Sequence, residues 1–241
     1  MTDRALPLIA LLPLVAGSAA AQTTSVPRPG PGFTSGPATR LVPAWGFRAY
    51  VNEDFALKPT DPGQCEPAPD LGLVVCGVKT GEVIALTMSG GEPAWVFRTR
   101  GGVRARPVIA DGALYVGSSD GCLYRLDPRT GKTTWKAPFC TDAAVHGSPA
   151  VAGGLVYFPV TVNKLYAVSE GTGQFAWEHH RDRPRFMSAE GVASPVVEGD
   201  RVYVGYSDGA LVALDRANGK VARGRPSSAA TCARRTWTPP R

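Results

Sequence analysis

Residues 121–135 read GCLYRLDPRTGKTTW, and this stretch decides the fold because the chain repeats it. A copy 42 residues further on reads NKLYAVSEGTGQFAW (163–177), and a copy 40 residues earlier reads GEVIALTMSGGEPAW (81–95). A fourth copy reads GALVALDRANG (209–219). A period of about 40 residues with several short strands per unit is typical of β-propeller blades. The sequence therefore predicts an all-β fold built from about four blades.

Each repeat places three turn signals between short apolar runs. In the repeat around residue 121 these signals are Asp111-Gly112, residues 118–121 and residues 127–131. Asp-Gly pairs favour tight hairpins because both central residues need positive φ, and the Pro and Gly of the third signal favour a turn of a different type. We predict a four-stranded antiparallel meander in every repeat, with Thr133 to Phe139 as the fourth strand of this one.

A tryptophan recurs at one position of the fourth strand, and a glycine recurs in the third turn. These repeat-defining residues are predicted to be structural: Trp95, Trp135 and Trp177, with Gly131, Gly173 and Gly219. The indoles are expected to fill the seams between neighbouring sheets, where small turn residues leave room. Stacking on a cofactor is the alternative role. We also predict burial at these strand positions: Leu123, Leu126, Leu165, Val168, Leu211 and Leu214.

The pattern x-G-x-L-Y-x-L-D-x-x-T-G-x-x-x-W resembles the repeat of pyrroloquinoline-quinone (PQQ)-like β-propellers. Gly121 to Trp135 match it almost position by position, and the repeats together cover residues 67–222. The resemblance implies an open or incomplete arc of a propeller type with about seven or eight blades. The family includes quinoprotein alcohol dehydrogenases and the non-catalytic propeller subunit of the outer-membrane β-barrel assembly machinery. Its motif therefore predicts the fold far better than the function.

The chain divides into four segments by composition. Residues 1–21 are predicted to be a cleavable export signal, since a basic start is followed by an apolar run and small residues before Gln22. Residues 22–41 are a Pro/Gly-rich linker, residues 42–222 are the propeller repeats, and residues 223–241 are a basic disordered tail. The apolar run is too short to span a membrane, and no lipid-bearing cysteine follows it. The predicted location is the periplasm or the medium.

Both ends of the repeat array are irregular. Trp45 lies 50 residues before Trp95, so Val42 to Tyr50 are predicted to be the last strand of a blade. At the other end, Arg223 stands where the fourth tryptophan is due, and the pattern stops. The hypothesis at this point is a truncated propeller with a ragged final strand. Its open edge is expected to cause self-association.

The charge distribution argues against a nucleic-acid partner. The net charge is +6, but residues 221–241 hold five arginines and no acidic residue, so the rest of the chain is nearly neutral. A nucleic-acid-binding domain is expected to carry a basic face instead.

The cysteines and histidines suggest disulfides rather than a metal site. Cys122 and Cys140 are a candidate disulfide, because the expected pairing of their strands brings them together in an exported chain. A Cys65–Cys76 pairing stays open, and Cys232 is left over. Adjacent His179 and His180 point to opposite sides of a strand, and His146 precedes a first strand, so none is assigned a catalytic or metal-binding role.

Three classes of function remain on the sequence alone. A non-catalytic periplasmic scaffold that binds an envelope protein or peptide is the prediction. The resemblance also allows a fragment of a PQQ-dependent dehydrogenase; such enzymes use a ring of adjacent cysteines, a calcium ion held by Glu, Asn and Asp, and a catalytic Asp. This chain has no Cys-Cys pair. A module that binds carbohydrate or the cell envelope is the third possibility. No enzyme activity and no cofactor are predicted, with PQQ implied by the resemblance only.

Overall fold

The computed structural model describes residues 44–47, 63–182 and 193–222. The predicted export signal (1–21), linker (22–41) and basic tail (223–241) lie outside these residues. Within the described part, no helix is long and apolar enough to cross a membrane.

The described residues form four antiparallel sheets, which we number as blades 1 to 4. Blade 1 contains β1 (Cys65–Ala68), β2 (Leu73–Gly77), β3 (Glu82–Thr87) and β4 (Pro93–Arg98), with a short 3-10 turn at Pro69–Leu71. Blade 2 contains β5 (Val108–Ala110), β6 (Ala113–Gly117), β7 (Cys122–Leu126) and β8 (Phe139–Cys140). Blade 3 contains β9 (Ala150–Ala152), β10 (Leu155–Val160), β11 (Lys164–Ser169) and β12 (Phe175–His180). Blade 4 contains β13 (Val196–Glu198), β14 (Arg201–Gly205) and β15 (Leu211–Asp215).

The predicted fold class is confirmed. Every sheet is a meander in chain order, and the four sheets form an unclosed propeller arc. The predicted hairpin turn at Asp111-Gly112 is present, and Gly153-Gly154 and Gly199-Asp200 form the equivalent turns of blades 3 and 4.

The predicted fourth strand of blade 2 is wrong in its extent. Thr133 makes a single bridge with Leu126, and pairing resumes only where Leu123 lies opposite Phe139. In blades 1 and 3 a register shift at the same place is followed at once by a regular strand. Blade 2 has two extra residues there, and Pro138 lacks the N–H that a ladder needs.

Blade 4 departs from a regular four-stranded meander at its last strand, which is where the sequence predicts a ragged strand. Its described part has three strands, and the fourth is reduced to a bridge between Leu214 and Val221. The Ala222 N–H donates to the Ala213 carbonyl oxygen at 2.9 Å, so the strand starts in its expected register.

The core lies in the seams between blades. Three clusters of buried side chains join the trailing face of one blade to the leading face of the next. The burial predictions hold for Leu123, Leu126, Trp135, Leu165, Val168, Trp177 and Leu214. The prediction for Leu211 is wrong, since this side chain is 73% exposed. It lies on the trailing face of blade 4, against which no sheet packs within the described residues.

Candidate binding surfaces

The tryptophan side chains make the same two contacts at every seam. Trp95 packs on Gly131, Trp135 on Gly173 and Trp177 on Gly219, so closely that a Cβ on any of these glycines would meet the indole. Each indole N–H also donates to the carbonyl oxygen three residues before its glycine, at Pro128, Glu170 and Arg216, over 2.8–3.0 Å. These side chains are thus committed to blade-to-blade packing.

A fourth indole extends this series to the front of blade 1. Trp45 packs on Gly91, and its N–H donates to the Met88 carbonyl oxygen at 3.0 Å. Residues 44–47 belong to the predicted strand 42–50, but they form no strand in the structure. The rest of that prediction lies outside the described residues.

One face of the arc carries the turns between second and third strands and the connectors between blades, and we call it the connector face. Its connectors are anchored by repeated contacts. Val103 and Val145 are fully buried, and their N–H groups donate to the carbonyl oxygens of Val78 and Ser118. Gly117 makes room for this, since a Cβ there would lie 2.5 Å from Val145 Cγ1. The connectors between blades 1 and 2 and between blades 2 and 3 are therefore held in place on this face.

The end of β4 and the connector between blades 1 and 2 carry four exposed arginines: Arg98, Arg100, Arg104 and Arg106. Arg98 approaches Glu82 at 3.8 Å and Arg106 approaches Glu66 at 3.3 Å. Within the described residues, Arg100 and Arg104 make no ion pair. We call these four residues the arginine cluster.

Beside the arginine cluster lies a cavity of about 350 Å³ organised by Asp120. The Asp120 carboxylate accepts from Tyr124 Oη at 2.7 Å, from the Arg100 N–H at 2.9 Å and from the Cys122 N–H at 3.0 Å. Burial raises the pKa of Tyr124, and Asp120 adds to this rise. The phenol therefore stays protonated and keeps donating at neutral pH. The Asp120 carboxylate already accepts hydrogen bonds from these three donors.

A second polar group lies on the same face between blades 3 and 4. Arg181 pairs with Asp208 at 2.7 Å, and this hydrogen bond holds the pKa of the Asp208 carboxyl below its usual range. His179 Nδ1 lies 2.6 Å from Tyr206 Oη, and burial lowers the pKa of His179. This imidazole is therefore neutral at pH 7.

The three histidines do not converge on one site. His146 Nε2 lies 3.0 Å from Ser119 Oγ, and His180 is exposed on the strand that carries half-buried His179. Among the described residues, no three His, Cys, Asp or Glu side chains are placed to hold a metal ion.

The structure joins the cysteines within single sheets. Cys122 pairs with Cys140 between β7 and β8, and Cys65 pairs with Cys76 between β1 and β2. In both pairs the two residues lie directly opposite each other in the strand register. The first pair links the two strands of blade 2 whose ladder is shortest.

Replacing both Cys122 and Cys140 with alanine is expected to destabilise the oxidised protein by about 3 kcal/mol, because a covalent link across this loop limits the unfolded chain. Urea denaturation without reductant, compared with the parent protein, measures the loss. After addition of dithiothreitol this variant should change less than the parent, which loses both disulfides. A parent protein whose urea midpoint is insensitive to reductant would contradict the prediction.

The described residues do not fit the PQQ site that the resemblance implies. The four cysteines they contain form two disulfides, between residues 11 and 18 positions apart, and no two of these cysteines are neighbours in the sequence. A glycine turn covers one ring face of each seam tryptophan, and Trp135 and Trp177 are buried, so these two side chains are not open to a quinone.

Four meander sheets joined by tryptophan seams define an arc of a β-propeller. The chain belongs to the PQQ-like repeat family whose model is described as outer membrane protein assembly factor BamB, which matches residues 45–185 and 79–238. No curated protein matches the sequence.

Solved structures share the fold at low sequence identity. BamB from Moraxella catarrhalis is 22% identical with a TM-score of 0.59, over 66% of this chain and 46% of that one. The computationally designed protein Ika8 is 17% identical with a TM-score of 0.54, over 66% of this chain and 47% of that one. The quinohemoprotein alcohol dehydrogenase ADHIIG from Pseudomonas putida HK5 is 18% identical with a TM-score of 0.50, over 63% of this chain and 32% of that one. The chain thus spans about half the length of the first two.

Proposed function

We propose that this protein is a non-catalytic propeller scaffold of the cell envelope that binds a protein or peptide partner through its connector face. The observation that carries the proposal is the arginine cluster. It presents four exposed arginine side chains within nine residues, one at the end of β4 and three on the connector that follows. Arginine is enriched in protein interfaces, where its planar group pairs with carboxylates in a fixed geometry.

The surroundings of the arginine cluster favour an acidic segment of a protein as the partner. Val96 precedes the cluster on β4 and is 51% exposed, so an apolar contact is available beside the charges. Arg100 and Arg104 are not neutralised by ion pairs within the described residues. The connector is held by the buried Val103 and the Val78 carbonyl oxygen, so little ordering is needed on binding.

An envelope location is part of the same proposal. The two disulfides of the described residues suit an oxidising compartment, and the N-terminal sequence has the composition of an export signal. The name of the family model supports an envelope role. Self-association through the apolar ends of the arc is also proposed.

The double charge reversal Arg100→Glu with Arg104→Glu is expected to weaken partner binding about tenfold or more, because it turns attraction into repulsion at an acidic partner. The purified chain is immobilised and exposed to envelope extract at several salt concentrations, and bound proteins are quantified by mass spectrometry. Arg129→Glu is the matched control, since Arg129 is exposed in a turn on the opposite face.

Two results would contradict the proposal. Equal capture by the parent, the double variant and the control would exclude the connector face as the binding surface. A stoichiometric, calcium-dependent change in the absorbance of added PQQ would exclude the non-catalytic role.

A further inference from the structure

The two ends of the arc carry complementary faces. On blade 4 the trailing face presents Tyr203, Leu211 and Ala213, which occupy the positions of Tyr157, Leu165 and Ala167 in blade 3. Those three residues of blade 3 are fully buried in the seam with blade 4. Leu211 is 73% exposed, so its face has the composition of a seam but lacks the blade that covers one.

At the opposite end, blade 1 presents a leading face with no sheet against it in the described residues. An apolar cluster of Val78, Ile84 and Leu86 lies here, with Val74 packed against it. A cavity of about 340 Å³ runs along this face beside Trp45. The equivalent residues of blade 2, Leu114, Tyr124 and Leu126, are buried against the strands of blade 1. Val78, Ile84 and Leu86 are only 4–6% exposed, so the open part of this face is strand β2, where half-buried Val74 and Cys76 line the cavity.

The segment before blade 1 has the sequence of a fourth strand. Residues 43–48 read PAWGFR and residues 93–98, which form β4, read PAWVFR. Trp45 docks on Gly91 and Met88 as Trp95 docks on Gly131 and Pro128. Residues 44–47 therefore stand where the outer strand of a preceding blade belongs, yet pair with no strand in the described residues.

Within the described residues, blade 4 has no full fourth strand, and this is the strand that the segment would supply. Among the described residues, the outer edge of strand β15 makes only two contacts. Leu214 forms a bridge with Val221, and the Ala213 carbonyl oxygen accepts from the Ala222 N–H. The sequence places Arg223 where the seam tryptophan is due. Among the described residues, one end of the arc thus has a seam tryptophan with no sheet around it, and the other end has a sheet with no seam tryptophan.

We propose that two copies of this chain close a single propeller ring by exchanging strands. Blade 4 of each copy packs its trailing face on blade 1 of the other copy. Residues 44–47 of the second copy join β15 as the fourth strand, while Val221 and Ala222 leave that edge. Trp45 keeps its own Gly91 and becomes the seam tryptophan that blade 4 lacks.

The proposed pairing has a defined register. In blades 1 and 3 the seam tryptophan lies opposite Ala85 and Ala167. Trp45 of the second copy therefore lies opposite Ala213, and Phe47 lies opposite Leu211, as Phe97 lies opposite Val83. Exposed Phe47 and exposed Leu211 bury one another.

The symmetry of the arc agrees with a pair of copies. Two equal contacts related by a two-fold axis close the assembly, which leaves no further face for growth. The inference rests on the self-association proposed above and specifies its geometry. It is separate from partner binding, because it concerns the ends of the arc and not its connector face.

Sedimentation equilibrium of the purified full chain is expected to give twice the monomer mass. Leu211→Lys places a charge in the closing seam and should return the mass to that of a monomer. Phe175→Lys is the matched control, since Phe175 is 56% exposed on β12, away from both ends, and this variant should stay dimeric. A monomeric parent protein or an open-ended series of oligomers would overturn the proposal.

A cross-link tests the register even where Leu211→Lys fails to fold. The double variant Phe47→Cys with Leu211→Cys, made with Cys232→Ser, should form a covalent dimer that reductant dissolves, because opposed strand residues are close enough for a disulfide. Each single substitution should form none. A dimer without this cross-link, or a monomer with an internal 47–211 disulfide, would overturn the proposal.

Discussion

Replacing Trp135 with alanine is expected to cost the folded state about 3–5 kcal/mol. The indole is 5% exposed in the seam between blades 2 and 3, and its ring makes an edge contact with Tyr115 at 6.2 Å between centroids. Its N–H donates to the Glu170 carbonyl oxygen at 2.8 Å. The substitution removes this packing, opens a cavity against Gly173 and leaves the carbonyl oxygen without its donor.

Urea denaturation followed by circular dichroism measures this loss. Phe175→Ala is the control, because its ring is 56% exposed and its removal should cost below about 1 kcal/mol. If Trp135→Ala cost no more than Phe175→Ala, the seam tryptophan would be peripheral to stability. Two separate unfolding transitions in the variant would further locate the damage at one seam.

The repeat made most of the fold predictable from the sequence. Every turn signal and every alternating apolar run occurs three or four times. The structure of a weakly matching copy can therefore be inferred from the copies that match well. The Asp111-Gly112 turn, the order of strands and the burial of Leu126 and Leu165 follow from this periodicity. Repetition works because each blade must present the same two faces to its neighbours.

Reading each copy from the others did not reveal the places where one blade differs. The two extra residues before Phe139 shorten the fourth strand of blade 2, although Thr133 to Phe139 has a strand-like composition. Leu211 has a core-like pattern, but its burial depends on a neighbouring blade and not on its own strand. The sequence of one strand does not show whether another blade packs against it.

The candidate binding surface was missed for a related reason. Net charge summed over the repeats is near neutral, and this sum conceals the arginines at 98, 100, 104 and 106. Counting charge connector by connector would have found the cluster. Its exposure on a fixed connector depends on tertiary contacts such as the burial of Val103, which no spacing rule predicts.

The structure also allows the steric role of a seam glycine to be separated from its backbone role. Gly131 and Gly112 lie in two turns of blade 2 with φ of +69° and +73°. An alanine at either site meets the same left-handed backbone, which costs roughly 1–2 kcal/mol. A Cβ at position 131 would lie 2.5 Å from Trp95 Cε3, whereas a Cβ at position 112 meets nothing within 4 Å.

Gly131→Ala is therefore expected to cost about 2–5 kcal/mol, against about 1–2 kcal/mol for Gly112→Ala. The difference arises because Trp95 must move off its turn, which also strains the hydrogen bond from its indole N–H to the Pro128 carbonyl oxygen. Urea midpoints of the two variants measure both costs under the same backbone penalty. In the background Trp95→Ala the indole is gone, so adding Gly131→Ala should cost no more than Gly112→Ala does. Equal costs for the two glycines in the parent protein would show that the seam yields to an extra methyl group, and that the recurrence of glycine reflects backbone conformation alone.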